Sequence, residues 1–277
     1  MEVIIFSGAD QVAEYAADIV GQMLAHKPDC VLGLATGSTP VAMYRCLAQR
    51  YRDGALSFAR ATTFNLDEYL GLDSDNSHSY RSYMRRELFD HVDLESERTH
   101  LPECAPGEDP RAVGPAYESL INKCGGIDLQ ILGIGRNGHI GFNEPSSSLA
   151  SRTRVKTLAR RTVSDNHRLF DSPAEQPGMA ITMGVATIMD AHRVLLLATG
   201  EHKAEAVRAA VEGSISAMHP ASVLQAHRRV RVLVDEAAAS RLTLVEYYRR
   251  VHTQAEWIAG EFSVSGVCDP WFQDGDG

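Results

Sequence analysis

Short apolar runs alternate with longer amphipathic segments along this chain. The runs are rich in Val, Ile and Leu, which is typical of parallel strands buried on both faces, and they cover residues 3–6, 30–35, 61–66, 127–135, 193–200 and 229–234. Between them, apolar residues recur at helical spacing over residues 9–25, 40–52, 77–89, 110–123, 179–189, 202–211 and 236–256. The alternation predicts repeated βαβ crossovers. We therefore expect an α/β fold with a doubly wound, mostly parallel sheet flanked by helices, Rossmann-like, in a single domain.

Two regions depart from this regular alternation. Residues 140–178 look like a lid-like excursion from the sheet, with a strand at 153–158 and a short helix at 164–171. From residue 259 onwards, glycines, aromatic residues and acids follow one another without a period. We expect a domain over 1–258 and a loosely attached or disordered tail over 259–277.

Composition narrows the classes of partner. The 277 residues carry a formal net charge of −9, which argues against nucleic acid as a partner and requires any bound anion to be held by local donors. No apolar run approaches the ~18 residues of a membrane span, and the first residues lack the features of an export signal. The five cysteines are odd in number and show no CxxC spacing. We expect a cytoplasmic protein without membrane contact, disulfide framework or zinc site.

Candidate chemistry lies in the loops after the strands, because ligands of open α/β sheets bind beyond the carboxyl ends of the strands. The first such loop is LATGSTP, residues 34–40, in which Gly37 allows close approach of a ligand to the backbone. The helix that follows favours an anion at its start. The loop lacks the Walker A pattern, so its candidate phosphate-binding residues, Thr36, Gly37, Ser38 and Thr39, suit a phosphate monoester. A helix capped by Ser38 or Thr39 without any ligand is the alternative.

Two more loops add charged groups. In ATGEHK, residues 198–203, Lys203 falls in the first turn of a helix, where a cation opposes the macrodipole; a second cation for the same phosphate would explain it. In FNLDEYLGL, residues 64–72, Asp67 and Glu68 stand at the end of a strand. A partly shielded Asp67 would have a raised pKa and suit a general base, whereas a turn cap is the structural alternative.

The fourth loop, GIGRNGHIGFNEP, covers residues 133–145 and holds one histidine between glycines. An imidazole can take up and release protons in catalysis, and Glu144 or Asn137 could orient the second ring nitrogen of His139. A purely structural histidine is the alternative. The GxGxxG-like spacing is followed by a segment that forms a poor dinucleotide-binding helix, and no HxxxH or HxH spacing indicates a metal. The four loops together favour cofactor-free, metal-free proton transfer on a phosphorylated sugar.

The motifs in these loops are similar to those of a known family. The segments that carry the similarity are LATGSTP, TFNLDEYLGL with SHSYRSYM after it, GIGRNGHIGFNEPSSSLASRTRVKTL and VEGSISAMHPASVLQAH. Together they resemble the glucosamine-6-phosphate deaminases, over residues 2–255. The resemblance implies conversion of glucosamine 6-phosphate to fructose 6-phosphate and ammonia in amino-sugar catabolism. It makes Asp67 the base that moves a proton from C2 to C1. His139 would open the sugar ring, oriented by Glu144.

The same resemblance assigns the phosphate contacts and shows one departure. The contacts fall on the Thr36–Thr39 loop, on Arg168 within the excursion and on Lys203. Asn137 stands where some members carry an aspartate that joins the ring-opening histidine. An amide orients an imidazole without stabilising its charged form, so the pH dependence of ring opening would differ.

Residues 146–158 resemble the segment that binds N-acetylglucosamine 6-phosphate in allosteric members of the family. The matching positions are Ser147, Arg154 and Lys156, with Tyr247 or Tyr248 as a further contact from another segment. The resemblance implies a homo-oligomer, with a hexamer favoured, activated by this ligand. In an extended strand Arg154 and Lys156 point to one face and repel unless an anion lies between them. An exposed basic strand edge that resists aggregation is the alternative.

Two other functions share this architecture. A 6-phosphogluconolactonase-like hydrolase would need a water-activating base but no ring-opening histidine. A non-catalytic sugar-phosphate sensor would usually carry a DNA-binding module or a basic patch, against which the acidic composition argues.

Overall fold

The computed structural model describes residues 1–73, 75–158, 177–262 and 271, and over those ranges it shows an α/β fold built on two sheets. The larger sheet has seven strands, six of which fall on the six predicted apolar runs. The bounds of the seven strands are β1 Glu2–Phe6, β2 Val31–Leu34, β3 Thr62–Asn65, β5 Thr99–His100, β6 Leu129–Gly133, β9 Val194–Ala198 and β10 Val230–Asp235. Only the two-residue strand β5 was not predicted, because so short a run has no readable period.

All pairings in the larger sheet are parallel, and the strand order is β1-β10-β9-β6-β2-β3-β5. From β2 onwards the chain winds outward in both directions, first through β3 and β5 and then through β6, β9 and β10, while β1 lies at the outer edge beside β10. This is the arrangement predicted for a doubly wound sheet. Since every strand runs the same way, their carboxyl ends share one edge. The loops after β2, β3, β6 and β9 consequently meet there.

Helices cover both faces of the sheet. Along β9, Leu195 and Leu197 pack on the side of the helices over residues 9–26 and 41–52, whereas Val194 and Leu196 pack on the side of the helices over residues 110–123 and 204–211. This two-sided burial explains why the strands read as continuous apolar runs. The helices have the bounds α1 Ala9–His26, α2 Val41–Arg52, α3 Tyr80–Glu87, α4 Pro110–Lys123, α5 Val185–Met189, α6 Ala204–Val211, α7 Glu236–Ala239 and α8 Val245–Phe262.

The second sheet is a finding that corrects two sequence predictions. It is antiparallel, with the order β4-β8-β7, where β4 is Asp67–Tyr69, β7 is Arg154–Thr157 and β8 is Met179–Thr182. The strand expected at 153–158 is confirmed as β7. The helix expected over 179–189 was wrong in its first half, because residues 179–182 pair with strands from two distant segments. Asp67 and Glu68, expected in a loop, belong to β4 for the same reason.

The C-terminal region also differs from the prediction. The single helix expected over 236–256 is divided into α7 and α8, and α8 continues to Phe262, past the predicted domain boundary at 258. Trp271 contacts the main body, where its carbonyl accepts a hydrogen bond of 2.8 Å from Arg193 Nε and its ring lies 4.8 Å from the Arg231 guanidinium. The helix predicted at 164–171 and most of the predicted tail lie outside the described residues. Within the described ranges, none of the helices has the length and apolar character needed to cross a membrane.

Candidate active site

The loops that follow β2, β3, β6 and β9 surround one cavity at the carboxyl edge of the sheet. Its volume is about 350 Å³, within the range of small-molecule sites. Seven predicted site residues line it: Thr36, Gly37, Ser38, Thr39, Asp67, His139 and Lys203. The predicted residues from four separate loops therefore share one space.

The loop over residues 36–39 is held from behind by tyrosines. Tyr44 Oη donates to Ala35 O at 2.7 Å, and Tyr83 Oη donates to Gly37 O at 2.6 Å. Gly37 has φ of 100°, a conformation that a residue with a Cβ rarely adopts. Helix α2 begins after Pro40, which takes the N-cap position without a side-chain cap, so neither Ser38 nor Thr39 holds the position that the alternative gave them. The loop is shaped by its supports and by Gly37.

Asp67 lies at the floor of this cavity with only 4% of its surface exposed. Burial, followed by the nearby negative charge of Glu68, raises the pKa of its carboxyl group to about 7. Thr182 Oγ1 lies 3.4 Å from Asp67 Oδ2. Among the described residues no cation forms an ion pair with Asp67. A general base with a pKa near neutrality is well matched to its task.

Glu68, the neighbouring carboxylate, has the capping role that was the structural alternative to catalysis. Its Oε1 accepts from the backbone amides of Tyr69 at 2.7 Å and Tyr80 at 2.9 Å, and its Oε2 accepts from the Arg81 amide at 2.9 Å. These amides include the start of α3, whose dipole favours a negative charge. Burial raises the pKa of Glu68 to about 7, and the amide donors oppose that rise. Glu68 is thus the cap, and Asp67 alone faces the cavity.

The loop over residues 133–145 presents the imidazole of His139. His139 Nδ1 lies 3.6 Å from Glu144 Oε2, just beyond hydrogen-bond distance. Asn137 does not contact the imidazole as considered above: its Nδ2 donates to Glu144 Oε2 at 2.7 Å, and its Oδ1 accepts from the His139 amide at 3.3 Å. Asn137 therefore fixes Glu144 and the backbone behind the ring. Gly135 leaves the ring its space, since a Cβ there would lie 2.2 Å from His139 Cε1.

Lys203 reaches the cavity from the far side. Its Nζ donates to Ile134 O at 2.6 Å, which holds the ammonium group at the end of β6. Three lining residues with polar or ionisable side chains were not among the predicted site residues: Tyr80, Arg136 and His202. Arg136 and His202 stand in loops that the sequence had singled out, so their charge was an available signal. Tyr80 comes from α3, within the SHSYRSYM segment that the resemblance covered without giving this residue a role.

The residues of the expected activator site lie outside the cavity. Arg154 Nη1 donates to Asn143 Oδ1 at 2.9 Å, and Ser147 is buried, with its amide donating to Glu144 O at 2.9 Å. Lys156 lies two residues from Arg154 on β7 and pairs with Ala180. Arg168 falls outside the described residues. Across those that are described, no group of three or more His, Cys, Asp or Glu side chains is placed to hold a metal ion.

Comparison with known proteins places this site in a family. Residues 7–233 match the family described as glucosamine-6-phosphate isomerases/6-phosphogluconolactonase, and the chain belongs to that family. A 6-phosphogluconolactonase from Leishmania guyanensis has a similar structure, with a TM-score of 0.66 over 87% of this chain and 98% of the other, at 23% identity. At that identity the likeness shows the fold alone.

Relatives within one branch of the family are much more similar. The glucosamine-6-phosphate deaminase of Colwellia psychrerythraea is 54% identical over 95% of this chain and 98% of its own length. That of Shewanella loihica is 55% identical over 93% of this chain and 96% of its own length. A solved structure of a monomeric glucosamine-6-phosphate deaminase superposes with a TM-score of 0.84 at 46% identity, over 87% of this chain and 99% of the other.

Proposed function

We infer that this protein is an enzyme that converts glucosamine 6-phosphate and water into fructose 6-phosphate and ammonia. The main observation behind this proposal is the position of Asp67. This carboxylate is buried, has no cation partner among the described residues and shares one cavity with His139 and Lys203. The deaminases that are more than 50% identical over nearly the whole chain supply the substrate. No cofactor is invoked, because each step below moves only protons and water.

The phosphate group of the substrate is assigned to the loop over residues 36–39 and to Lys203. The loop offers backbone and hydroxyl donors beside the start of α2, and Lys203 adds a positive charge on the opposite wall. Charge-assisted hydrogen bonds of this kind are roughly twice as strong as neutral ones. Arg168, by its family resemblance, adds a further cation to the same phosphate.

Ring opening is assigned to His139. A cyclic sugar opens when the proton on O1 is removed and a proton is delivered to the ring oxygen O5, and one imidazole can do both in turn. Glu144 lies 3.6 Å from Nδ1 and can stabilise the positive charge that forms on the ring. Because Asn137 binds Glu144, that carboxylate keeps its place while the imidazole exchanges protons.

The isomerisation is assigned to Asp67. The carboxylate removes the proton from C2 of the open aldehyde and returns it to C1. O1 gains a proton and the amino group loses one in the same step, so the aldehyde becomes an alcohol and C2 becomes an imine. Water then adds to the imine, and ammonia leaves as C2 becomes the ketone of fructose 6-phosphate. With a pKa of about 7, Asp67 is ionised in much of the protein at neutral pH, yet basic enough to accept a carbon-bound proton.

The test is to incubate the purified protein with glucosamine 6-phosphate and measure ammonia and fructose 6-phosphate. Equal amounts of the two products are expected. Parallel assays with 6-phosphogluconolactone test the hydrolase of the same family. Tight binding of glucosamine 6-phosphate by folded protein without turnover would overturn the enzyme and leave a sugar-phosphate sensor.

We further propose that Ser147, Arg154 and Lys156 bind N-acetylglucosamine 6-phosphate as an activator of a homo-oligomer. The support is the family resemblance of residues 146–158 together with the half-buried Arg154, which bonds no carboxylate among the described residues. Substrate titrations with and without the ligand, together with a mass measurement in solution, test this. A 46% identical relative is described as monomeric, so a monomer with hyperbolic, ligand-independent kinetics is the contrary outcome. The cytoplasmic location stays a prediction.

A further inference from the structure

A buried hydroxyl group stands between the two catalytic loops. Thr182 is the last residue of β8 and has no exposed surface. In the antiparallel sheet it lies directly opposite Asp67 on β4 and directly opposite Arg154 on β7. Its side chain is therefore next to the proposed base, although the two residues are 115 positions apart in the sequence.

The hydrogen bonds of this hydroxyl connect the two loops. The backbone amide of Phe142, in the loop that carries His139, donates to Thr182 Oγ1 at 3.1 Å. The single hydroxyl proton then has two acceptors in reach, Asp67 Oδ2 at 3.4 Å and Met183 O at 3.3 Å. When Asp67 is ionised, the carboxylate is the stronger acceptor. A protonated Asp67 would release the hydroxyl to the Met183 carbonyl.

The surroundings leave little freedom for either side chain. Gly141 packs against the pair so closely that a Cβ on it would lie 3.0 Å from Thr182 Oγ1 and 3.3 Å from Asp67 Oδ2. The Phe142 amide also contributes a hydrogen bond to Asp67. Apart from this amide and Thr182, no described group donates a hydrogen bond to the Asp67 carboxylate.

We propose that Thr182 is a positioning residue of the deaminase reaction, which holds the Asp67 carboxylate in its ionised, substrate-facing arrangement and ties it to the His139 loop. The proposal rests on the function assigned above to Asp67. Thr182 itself does not touch the reacting atoms. It acts by favouring one orientation and one protonation state of the group that does.

The proposal has a definite sign for pH dependence. A hydrogen bond to the charged form lowers the pKa of a carboxyl group, so removal of the Thr182 hydroxyl raises the pKa of Asp67. The acid limb of kcat then moves to higher pH. Other titratable or charged groups around Asp67 stay unchanged in the variant: Glu68 on the same strand, Tyr80 on α3, Tyr117 on α4, and His139 and Lys203 across the cavity. Burial raises the pKa of both tyrosines well above its usual value, so neither titrates in the range of the assay.

The experiment compares three threonine variants of the full chain. Thr182→Val keeps the shape and removes the hydroxyl; kcat is expected to fall about tenfold, with KM nearly unchanged. Thr182→Ser keeps a hydroxyl and is expected to return the acid limb towards its original position. Thr187→Val is the matched control, because Thr187 is also buried but bonds Glu118, away from the cavity. Its acid limb should not move.

A direct titration separates this proposal from the proposed function. The Asp67 carboxyl is followed by ¹³C NMR in the wild-type protein and in Thr182→Val, with Asp67→Asn used to assign the signal. A higher midpoint in Thr182→Val supports the proposal whether or not the protein turns over substrate. An unchanged midpoint and acid limb, a serine variant that restores neither, or an equal shift in Thr187→Val would overturn it. If the valine variant does not fold, Thr182→Ala tests the same loss of hydroxyl.

Discussion

The two edges of the larger sheet both carry charged groups but use them differently. At the amino edge the charges neutralise one another: Lys27 Nζ lies 2.9 Å from both oxygens of Asp128, and Arg231 Nε lies 2.6 Å from Glu2 Oε2. Burial alone would lower the pKa of Lys27, but the hydrogen bond and charge of Asp128 outweigh it and raise the pKa. The charges at this edge are satisfied within the protein.

At the carboxyl edge, by contrast, the buried carboxylate of Asp67 is not neutralised by a described cation. Asp67 has no cation partner among the described residues, and Lys203 donates to a backbone carbonyl. Gly37, Gly138 and Gly200 adopt positive φ in the loops around the cavity, a conformation that favours glycine. The comparison shows that a single sheet gains stability at one edge and gives up some of it at the other, where catalysis needs a carboxylate that no cation neutralises among the described residues.

Asp67 determines how this loss of stability depends on pH. Burial and the charge of Glu68 raise its folded pKa from 3.8 to about 7. The folded protein therefore keeps a proton that the unfolded chain has lost between those values, and this contribution to stability falls as the pH rises from about 4 to 7. Each unit of such a shift corresponds to about 1.4 kcal/mol. The ionised base is stabilised less in the fold than in water.

Asp67→Asn is the change expected to have the largest effect. Loss of a positioned general base costs about 10²–10⁴-fold in the rate of the chemical step, and exchange of the C2 proton with solvent should be lost in parallel. The same variant should be more stable than the wild type at pH 8, with a difference that shrinks towards pH 4. Turnover and denaturant unfolding measure the two effects. Near-normal exchange with near-normal turnover would remove Asp67 from the mechanism.

Gly135→Ala should disturb the histidine alone. A Cβ at residue 135 would lie 2.2 Å from His139 Cε1, so the ring must move while the backbone stays. A displacement of about 1 Å can cost about 10²-fold in rate, and the loss should be smaller on a substrate analogue already in open-chain form. Gly8→Ala is the control, since nothing lies within 4 Å of its Cβ. Equal losses on cyclic and open-chain substrates would contradict the ring-opening role.

Lys203→Ala should weaken binding of fructose 6-phosphate by about 1.5–3 kcal/mol, the range for a hydrogen bond to a charged group. Lys27→Ala is the matched change at the amino edge. It should lower the free energy of unfolding and leave that affinity alone. Calorimetric titration of fructose 6-phosphate, with inorganic phosphate as a competitor, measures the affinity of each variant. Denaturant unfolding measures their stability. The contrast between the edges fails if the two variants bind the ligand equally well.

Glu68→Gln should have the smallest effect, a shift of the acid limb of kcat by about half to one pH unit. Because the Glu68 charge raises the pKa of Asp67, its removal lowers that pKa, and activity should persist to lower pH. The direction is opposite to that expected for Thr182→Val. The pH profile of kcat decides it, with thermal unfolding as a check that α3 keeps its start. An acid limb that does not move would show that Glu68 acts only as a helix cap and does not influence Asp67.

The sequence by itself determined the parallel sheet and the place of the cavity. Six apolar runs identified the strands, since residues buried on both faces leave a local signal. The strand direction then sent the loops with Asp67, His139 and Lys203 to one edge. The particular activity came from motifs that resemble a family, because the same fold serves several reactions.

Only the tertiary structure decided what depends on distant partners. Residues 179–182 have an apolar pattern that fits a helix, yet they form β8 because β4 and β7 supply the backbone partners. The same pairing placed Thr182 beside Asp67. It also separated the roles of two adjacent acids, since Glu68 met the amides at the start of α3 and Asp67 met the cavity. Hydrophobic period is a local property of a chain, whereas burial of a charge and the choice of its partner depend on residues that only folding brings together.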